Sequence, residues 1–170
     1  RYNERYTSRL RIIMNKLWYS WEEMRRDVNV LARDIVLDKF DPNVIVGLSR
    51  GGLTPGVMLS HWFKKPFKPV KSSLRDFPEW EDYLPKPTDE RVLIVDDICD
   101  SGETFQRMQG FIRGPRKNSP LELPVDVRFA SLWWNNECDF EPTYYVNEMA
   151  KDSTDTWIMF PWEGWWNSPV

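Results

Sequence analysis

Histidine is almost missing from this chain of 170 residues, which carries His61 and no other. Ser-His-Asp and Cys-His mechanisms are therefore excluded unless that one residue is the base. His61 sits in an apolar stretch with Val57, Met58, Leu59, Trp62 and Phe63 and reads as a helix-packing residue. Cysteine is scarce as well: Cys99 and Cys138 lie far apart in the sequence. Two cysteines make neither a disulfide framework nor a four-ligand zinc site, so both read as reduced thiols. No stretch approaches the roughly 18 apolar residues of a bilayer span. Arg1, Glu4, Arg5, Arg9 and Arg11 occupy the segment where a signal peptide would be apolar. The expectation is a soluble, cytoplasmic protein. Positive charge is not in excess, with a net charge of −3. Bulk attraction to nucleic acid is thereby excluded, although a small anion needs only a few local donors. A G-x-x-x-x-G-K-[ST] phosphate loop is missing too, which argues against a nucleoside triphosphatase.

What is present is enough for one ordinary core: 41% of the residues are apolar, and the length suits a single domain over 1–170. Met24, Val28, Leu31 and Ile35 recur at helical spacing within Trp21 to Leu37, with Ser20 as cap and Glu22 and Glu23 in the first turn. Val44 to Leu48 reads as a short buried strand that ends in Ser49-Arg50-Gly51-Gly52, and Leu53 to Phe63 as the helix after it. The same unit recurs: Arg91 to Val95 is an apolar strand, followed by a loop from Asp96 and a helical stretch to about Arg113. Two strand-loop-helix units predict an α/β fold with a doubly wound, mainly parallel sheet whose loops gather at the strands' carboxyl ends. Val125 to Leu132 and Thr143 to Val146 read as further strands. Residues 72–89 hold Pro78, Pro85 and Pro87 among charges and aromatics, with Pro69 nearby, and read as a long flexible lid loop. Residues 133–170 end in a tail rich in tryptophan.

The segment Val92-Leu93-Ile94-Val95-Asp96-Asp97-Ile98-Cys99-Asp100-Ser101-Gly102-Glu103-Thr104 carries the most chemistry. Two adjacent acids at a strand's end present oxygen ligands to vicinal hydroxyls and to hydrated Mg²⁺. Ser101, Gly102 and Thr104 open a helix whose free N–H groups favour a phosphate. The combination describes a pocket for a sugar phosphate. An acidic turn with an ordinary N-cap explains Asp100 to Thr104 alone, but not the apolar strand and the double acid before them.

Strand, acid, acid, x, x, Asp, Ser/Thr, Gly, x, Thr closely resembles the signature of the type I phosphoribosyltransferases. Ile45 to Gly56 resembles the pyrophosphate loop of that family's bacterial xanthine-guanine branch. Asp155-Thr156-Trp157-Ile158 with Pro161-Trp162-Glu163 resembles the branch's purine hood. The resemblance implies a small hood in residues 133–170 over a doubly wound sheet, and transfer of ribose 5-phosphate from 5-phosphoribosyl-1-pyrophosphate to a purine base with Mg²⁺ as cofactor. Guanine, xanthine or hypoxanthine is favoured, in nucleotide salvage, by a homodimer or homotetramer with no nucleic-acid or membrane partner. It places the ribose hydroxyls and the metal on Asp96 and Asp97, and the 5′-phosphate on Asp100, Ser101, Gly102, Glu103 and Thr104. Asp100 matches the acid near the base's ring nitrogen. Ser49, Arg50, Gly51 and Gly52 match the pyrophosphate site, with Arg50 and the two glycine N–H groups as donors. The family's cis peptide falls here on Ser49 to Arg50. Trp157 matches the aromatic that stacks on the purine, with the backbone of Ile158 reading its edge, while Trp162, Trp165 and Trp166 read as structural.

One departure concerns the base. The xanthine-guanine branch has a lysine just after the strand that ends here at Leu132, where it meets the 6-oxo group. This chain has Trp133-Trp134-Asn135-Asn136 there and no lysine until Lys151. An asparagine amide both donates and accepts, so Asn135 or Asn136 is the expected base reader. Two other classes compete. Asp96-Asp97-x-x-Asp100 also fits the Mg²⁺-pyrophosphate motif of terpenoid synthases, but those motifs sit on helices, and this one follows a β-branched strand. A non-catalytic nucleotide-binding module of the same fold is the alternative function; such members usually lose the acidic pair or the pyrophosphate loop, and this chain keeps both.

Overall fold

The computed structural model describes residues 15–71, 89–113 and 126–168. The expected lid, 72–89, lies outside them except for Asp89. The elements run β1 (Asn15–Trp18), α1 (Trp21–Leu37), β2 (Val44–Ser49), α2 (Leu53–Phe63), β3 (Phe67–Lys71), β4 (Arg91–Cys99), α3 (Glu103–Arg113), β5 (Asp126–Asn135), β6 (Tyr144–Met149), α4 (Lys151–Thr154), β7 (Thr156–Met159) and a 3-10 turn (Trp165–Asn167). Helix α1 begins where the cap signal predicts. Ser20 Oγ accepts from the Glu23 N–H at 3.1 Å while the Glu23 carboxylate accepts from the Ser20 N–H at 2.7 Å, a reciprocal capping box.

Strands β3-β2-β4-β5-β6 form one sheet in that order, and every pairing in it is parallel. From β2 the chain crosses through α2 to β3 on one side, and β4 then pairs with β2 on the other. The winding therefore reverses between β2 and β4, and a crevice opens beyond their carboxyl ends. Helices α1 and α2 cover one face: Met24, Leu31, Ile35 and Leu59 pack with Ile45, Leu93, Val95 and Leu132. Helix α3 covers the other, with Phe105, Met108 and Ile112 against Val46, Ile94 and Phe129. Nearly all these side chains are completely buried, each worth about 1.5–3 kcal/mol against exposure.

The second sheet is small. β1 pairs in parallel with β7, so the expected hood, 133–170, takes in a strand from the other end of the chain, and this two-stranded ribbon is referred to as the hood. It is tied to the main sheet by a buried polar junction. Asp27 of α1, 2% exposed, accepts from the Tyr19 hydroxyl at 2.8 Å, from the Asn147 amide of β6 at 2.8 Å and from Arg26 Nε at 2.9 Å. Tyr19 also gives its N–H to Met159 O at 3.0 Å, so one carboxylate holds hood, helix and sheet together.

Several expectations change. β4 continues through Asp96, Asp97 and Ile98 to Cys99, so the acids stand within the strand instead of beyond its end. Strand β3 shows no apolar alternation because Pro69 and two lysines fill an edge strand, where a missing N–H costs no ladder bond. His61 is exposed on α2 and does not pack in the core. Trp165 and Trp166 are 66% and 70% exposed, so their structural role is not burial within this chain.

Replacing Asp27 with alanine leaves the Tyr19 hydroxyl and the Asn147 amide without their shared acceptor. The expected cost is about 2–4 kcal/mol, read as a lower urea midpoint with an unchanged slope. A midpoint shift worth under about 0.5 kcal/mol would remove Asp27 from this role.

Candidate active site

The crevice is built by three loops. The first follows β2, where the Ser49–Arg50 peptide is cis. Arg50 is exposed, and Gly51 and Gly52 turn the chain into α2. A Cβ on Gly51 would run into the Asp97 carboxylate, and one on Gly52 into the Val95 carbonyl. Glycine is needed here for close approach, since neither residue has a positive φ. The Gly52 N–H is already given to Leu48 O at 2.8 Å. The expectation that it faces a pyrophosphate is corrected accordingly: Gly52 packs the turn, and Arg50 and Gly51 remain as the loop's donors.

The second loop is the end of β4 with the start of α3. Pairing with β5 runs to Asp96 opposite Ser131 and resumes with Ile98 opposite Trp133. Val95 and Ile98, an odd step apart, nevertheless pack in the same core cluster, so the strand's alternation breaks at the two acids. Both are partly buried. The Asp97 N–H donates to Asp96 Oδ1 at 2.9 Å, and the Ile98 N–H to Asp97 Oδ1 at 2.8 Å. Burial pushes the Asp96 carboxyl well above the usual range, and the neighbouring Asp97 charge adds to it. Burial likewise raises Asp97 to about 6, with Glu163 adding to the rise. Past the strand, Gly102 has φ of +80° and is pressed against Phe140, so no side chain fits there. Ser101 Oγ accepts the Glu103 N–H at 3.3 Å. Asp96, Asp97, Asp100, Ser101, Gly102 and Thr104 line a cleft of about 200 Å³ at the head of α3. Glu103 points to solvent beside it.

The third part is the hood. A second cleft, also about 200 Å³, shares Asp97, Ile98 and Asp100 with the first and is completed by Lys151, Trp157, Ile158, Phe160 and Glu163. Trp157 is 42% exposed, whereas Ile158 is 3% exposed. Asn135 is corrected: it is 1% exposed and does not line this cleft. Its amide donates to Asp100 Oδ1 at 3.5 Å and to Asp152 Oδ2 at 3.3 Å, while its Oδ1 accepts the Lys151 N–H at 3.1 Å. Asn136, the other candidate, begins the turn after β5 and is exposed.

Sequence reasoning passed over Lys151. Its ammonium is ion-paired with Asp100 and lies 4.9 Å from the centroid of the Trp157 ring. No periodicity signals it, because a four-residue helix between two strands has no repeat. Glu137, from the turn after β5, supplies the cap that α4 lacks, accepting from the N–H groups of Asp152 at 2.7 Å and Ser153 at 2.9 Å. Cys99 and Cys138, distant in sequence, also meet here as free thiols that share the Phe140 carbonyl.

A two-lobed cleft thus lies at the sheet's winding reversal, acidic at its waist and headed by a helix amino terminus. The model of the phosphoribosyl transferase domain matches residues 18–168. The chain belongs to that family. Xanthine-guanine phosphoribosyltransferase of Gluconobacter oxydans is 28% identical over 153 residues, spanning 85% of this chain and 82% of that protein. The solved structure of purine phosphoribosyltransferase from Pyrococcus horikoshii Ot3 is 29% identical, with a TM-score of 0.69, over 92% of this chain and 97% of that one. The Helicobacter pylori xanthine-guanine-hypoxanthine phosphoribosyltransferase shares the fold at a TM-score of 0.69 and 21% identity, over 88% of this chain and 95% of that one. The phosphoribosyltransferase fold is thus the observed one, and the helical terpenoid-synthase reading falls.

Phosphoribosyltransferases generally use Mg²⁺, and the residues here fit it. Asp96 and Asp97 are partly buried acids with no ion-pair partner among the described residues. Nor do the described residues contain a cluster of three or more ligating side chains. Such a site suits a cation that keeps waters and takes most of its ligands from a phosphorylated substrate.

The raised Asp97 carboxyl has a measurable consequence. The folded state holds this proton more tightly than the unfolded chain, so the stabilisation is complete below about 3.8 and lost as pH rises through about 6. Asp97→Asn should therefore be more stable than the parent at pH 8, by roughly 1–2 kcal/mol, with the difference gone in acid. Equal urea midpoints at pH 8 would refute the burial argument.

Proposed function

We propose that this phosphoribosyltransferase moves ribose 5-phosphate from 5-phosphoribosyl-1-pyrophosphate to an oxopurine, guanine, xanthine or hypoxanthine, and releases pyrophosphate. The observation that carries the reading is the joined cleft: a lobe at the head of α3 and a lobe floored by Trp157 meet at Asp97 and Asp100. A sugar between a phosphate held in the first lobe and a flat ring held in the second would put its C1 at that junction. The relatives named for xanthine-guanine transfer support the choice of base.

In this reading the first-turn N–H groups of α3, with Ser101 and Thr104, receive the 5′-phosphate. Asp96 and Asp97 accept from the ribose hydroxyls and are the residues that would hold Mg²⁺, whose charge would offset that of the departing pyrophosphate. Arg50 and the Gly51 N–H bind the leaving group. As the bond from C1 to pyrophosphate breaks, the electron pair leaves with the pyrophosphate and positive charge builds on the sugar. A ring nitrogen of the base closes the new bond, and its proton passes to Asp100. Trp157 holds the base flat over C1, so most of the rate comes from orientation and from cationic groups placed where negative charge grows. The proposal includes nucleotide salvage in the cytoplasm by a homodimer or homotetramer; exposed Trp62, Trp165 and Trp166 are apolar surface of the kind subunits cover.

Exchange of both Asp96 and Asp97 for asparagine should lower pyrophosphate release at least about 100-fold without loss of thermal stability. An active double variant would dismiss the acidic pair. Separate incubations of the parent with guanine, xanthine, hypoxanthine, adenine and orotate decide the base. Turnover of adenine or orotate alone would refute the oxopurine choice, and no release with any base would replace transfer by nucleotide binding.

A further inference from the structure

Cys99 and Cys138 are the chain's two cysteines, and the fold brings them together behind the lobe at the head of α3. Cys99 ends β4, one residue before Asp100, and lines that lobe itself. Cys138 belongs to the turn after β5. Both thiols donate to the Phe140 carbonyl, Cys99 Sγ at 3.5 Å and Cys138 Sγ at 3.2 Å, and the two sulfurs are also in hydrogen-bond contact with each other. Trp134 Nε1 donates to the same oxygen at 2.9 Å. The carbonyl therefore keeps a partner when both thiols leave it, and no buried acceptor is orphaned by their reaction.

We propose that Cys99 and Cys138 form a peroxide-oxidised dithiol site whose disulfide weakens phosphate binding in the adjoining lobe. The covalent step stands on the two thiols alone, whereas its effect on activity rests on the phosphoribosyl-transfer reading. Cys138 is half-buried and Cys99 is 2% exposed, so the oxidant meets Cys138 first. Its thiolate attacks one oxygen of hydrogen peroxide. The O–O bond breaks, the sulfur becomes a sulfenic acid, and the leaving hydroxide combines with the thiol proton as water. The Cys99 sulfur then attacks the sulfenic sulfur; the S–O bond breaks, and the hydroxyl leaves with the Cys99 proton as a second water. Two thiols lose two electrons in all, and the peroxide gains them.

The phosphate lobe senses this bond through Phe140. A Cβ built on Gly102 would lie 2.5 Å from Phe140 Cβ and 3.6 Å from Cys138 Sγ, so the turn from Asp100 to Thr104 rests directly on the segment 138–140. Phe140 is itself wedged against Phe105 of α3 and Phe129 of β5, with ring centroids 5.6 and 5.3 Å away. A sulfur–sulfur bond is far shorter than any contact between thiols, so Cys138 must move toward β4 to form it. Phe140, two residues on, has no free space in which to absorb that movement. Gly102 and the first turn of α3 are displaced with it, and a phosphate held by several N–H groups is sensitive to shifts of about 1 Å.

The test treats the reduced chain with hydrogen peroxide. A non-reducing peptide map should show Cys99 joined to Cys138 within one chain, with the loss of about 2 Da that two hydrogens represent. GMP affinity by calorimetry should fall about 10-fold, the KM for phosphoribosyl pyrophosphate should rise by a similar factor, and dithiothreitol should restore both. Cys138→Ser should match the untreated parent and lose this response to peroxide. Two thiols that survive treatment, or that carry added oxygen without a disulfide, overturn the proposal. So does a disulfide that leaves GMP affinity unchanged, or a Cys138→Ser protein as sensitive as the parent. A parent that loses GMP affinity on forming the disulfide, yet releases no pyrophosphate with any base, keeps the dithiol site and sinks the transfer reading. If circular dichroism shows the serine variant misfolded, Cys138→Ala is judged by the same measurements.

Discussion

The site depends on one close approach, that of the β2 loop to the end of β4. Gly51 lies against the Asp97 carboxylate and Gly52 against the Val95 carbonyl, where any Cβ would overlap. Parallel pairing of Val44 to Gly47 with Val92 to Val95 brings the strands into register, but the missing side chains let the two loops touch. The reversal of winding then leaves a crevice at this seam. A larger residue at either position would push apart the candidate pyrophosphate and ribose groups together, because both hang on the same contact.

That seam also sets the electrostatics. Two carboxylates are drawn partly out of water and given backbone N–H bonds but, among the described residues, no ion-pair partner. In the ligand-free protein this arrangement is unfavourable to charge, and both carboxyls hold their protons more tightly than free aspartates. In the proposed function a cation arriving with a polyphosphate would remove the difficulty, and perturbed carboxyls of this kind are common at functional sites.

The hood obeys a different logic. Its two-stranded ribbon is too small to stand alone, and it borrows rigidity through Asp27, which bonds Tyr19 and also Asn147, 120 residues further along the sequence. Ile158 and Phe160 then bury beneath it, while Trp157, on the opposite side of β7, faces the cleft. A second borrowed support, Glu137 capping α4, fixes Lys151 over the same indole.

The ends of α1 and α2 were legible in the sequence, because capping and helical spacing are local. So was the core of β2 and β4, because buried parallel strands read as continuous apolar runs. The acids, the Ser101 to Thr104 turn and Trp157 were legible as a motif. What the sequence could not disclose is whatever depends on distant partners. Edge strand β3 hides behind Pro69, and the ribbon of β1 and β7 consists of four-residue strands. Asn135 looks like a free amide until tertiary packing buries it against Asp100 and Asp152. Lys151 looks like an ordinary charged residue until the fold lays it between Asp100 and Trp157. Local pattern determined which segments are strand, loop and helix and which loop carries the acids. The tertiary structure decided which side chains line the hood cleft, since that is settled by contacts among residues 16 to 51 positions apart.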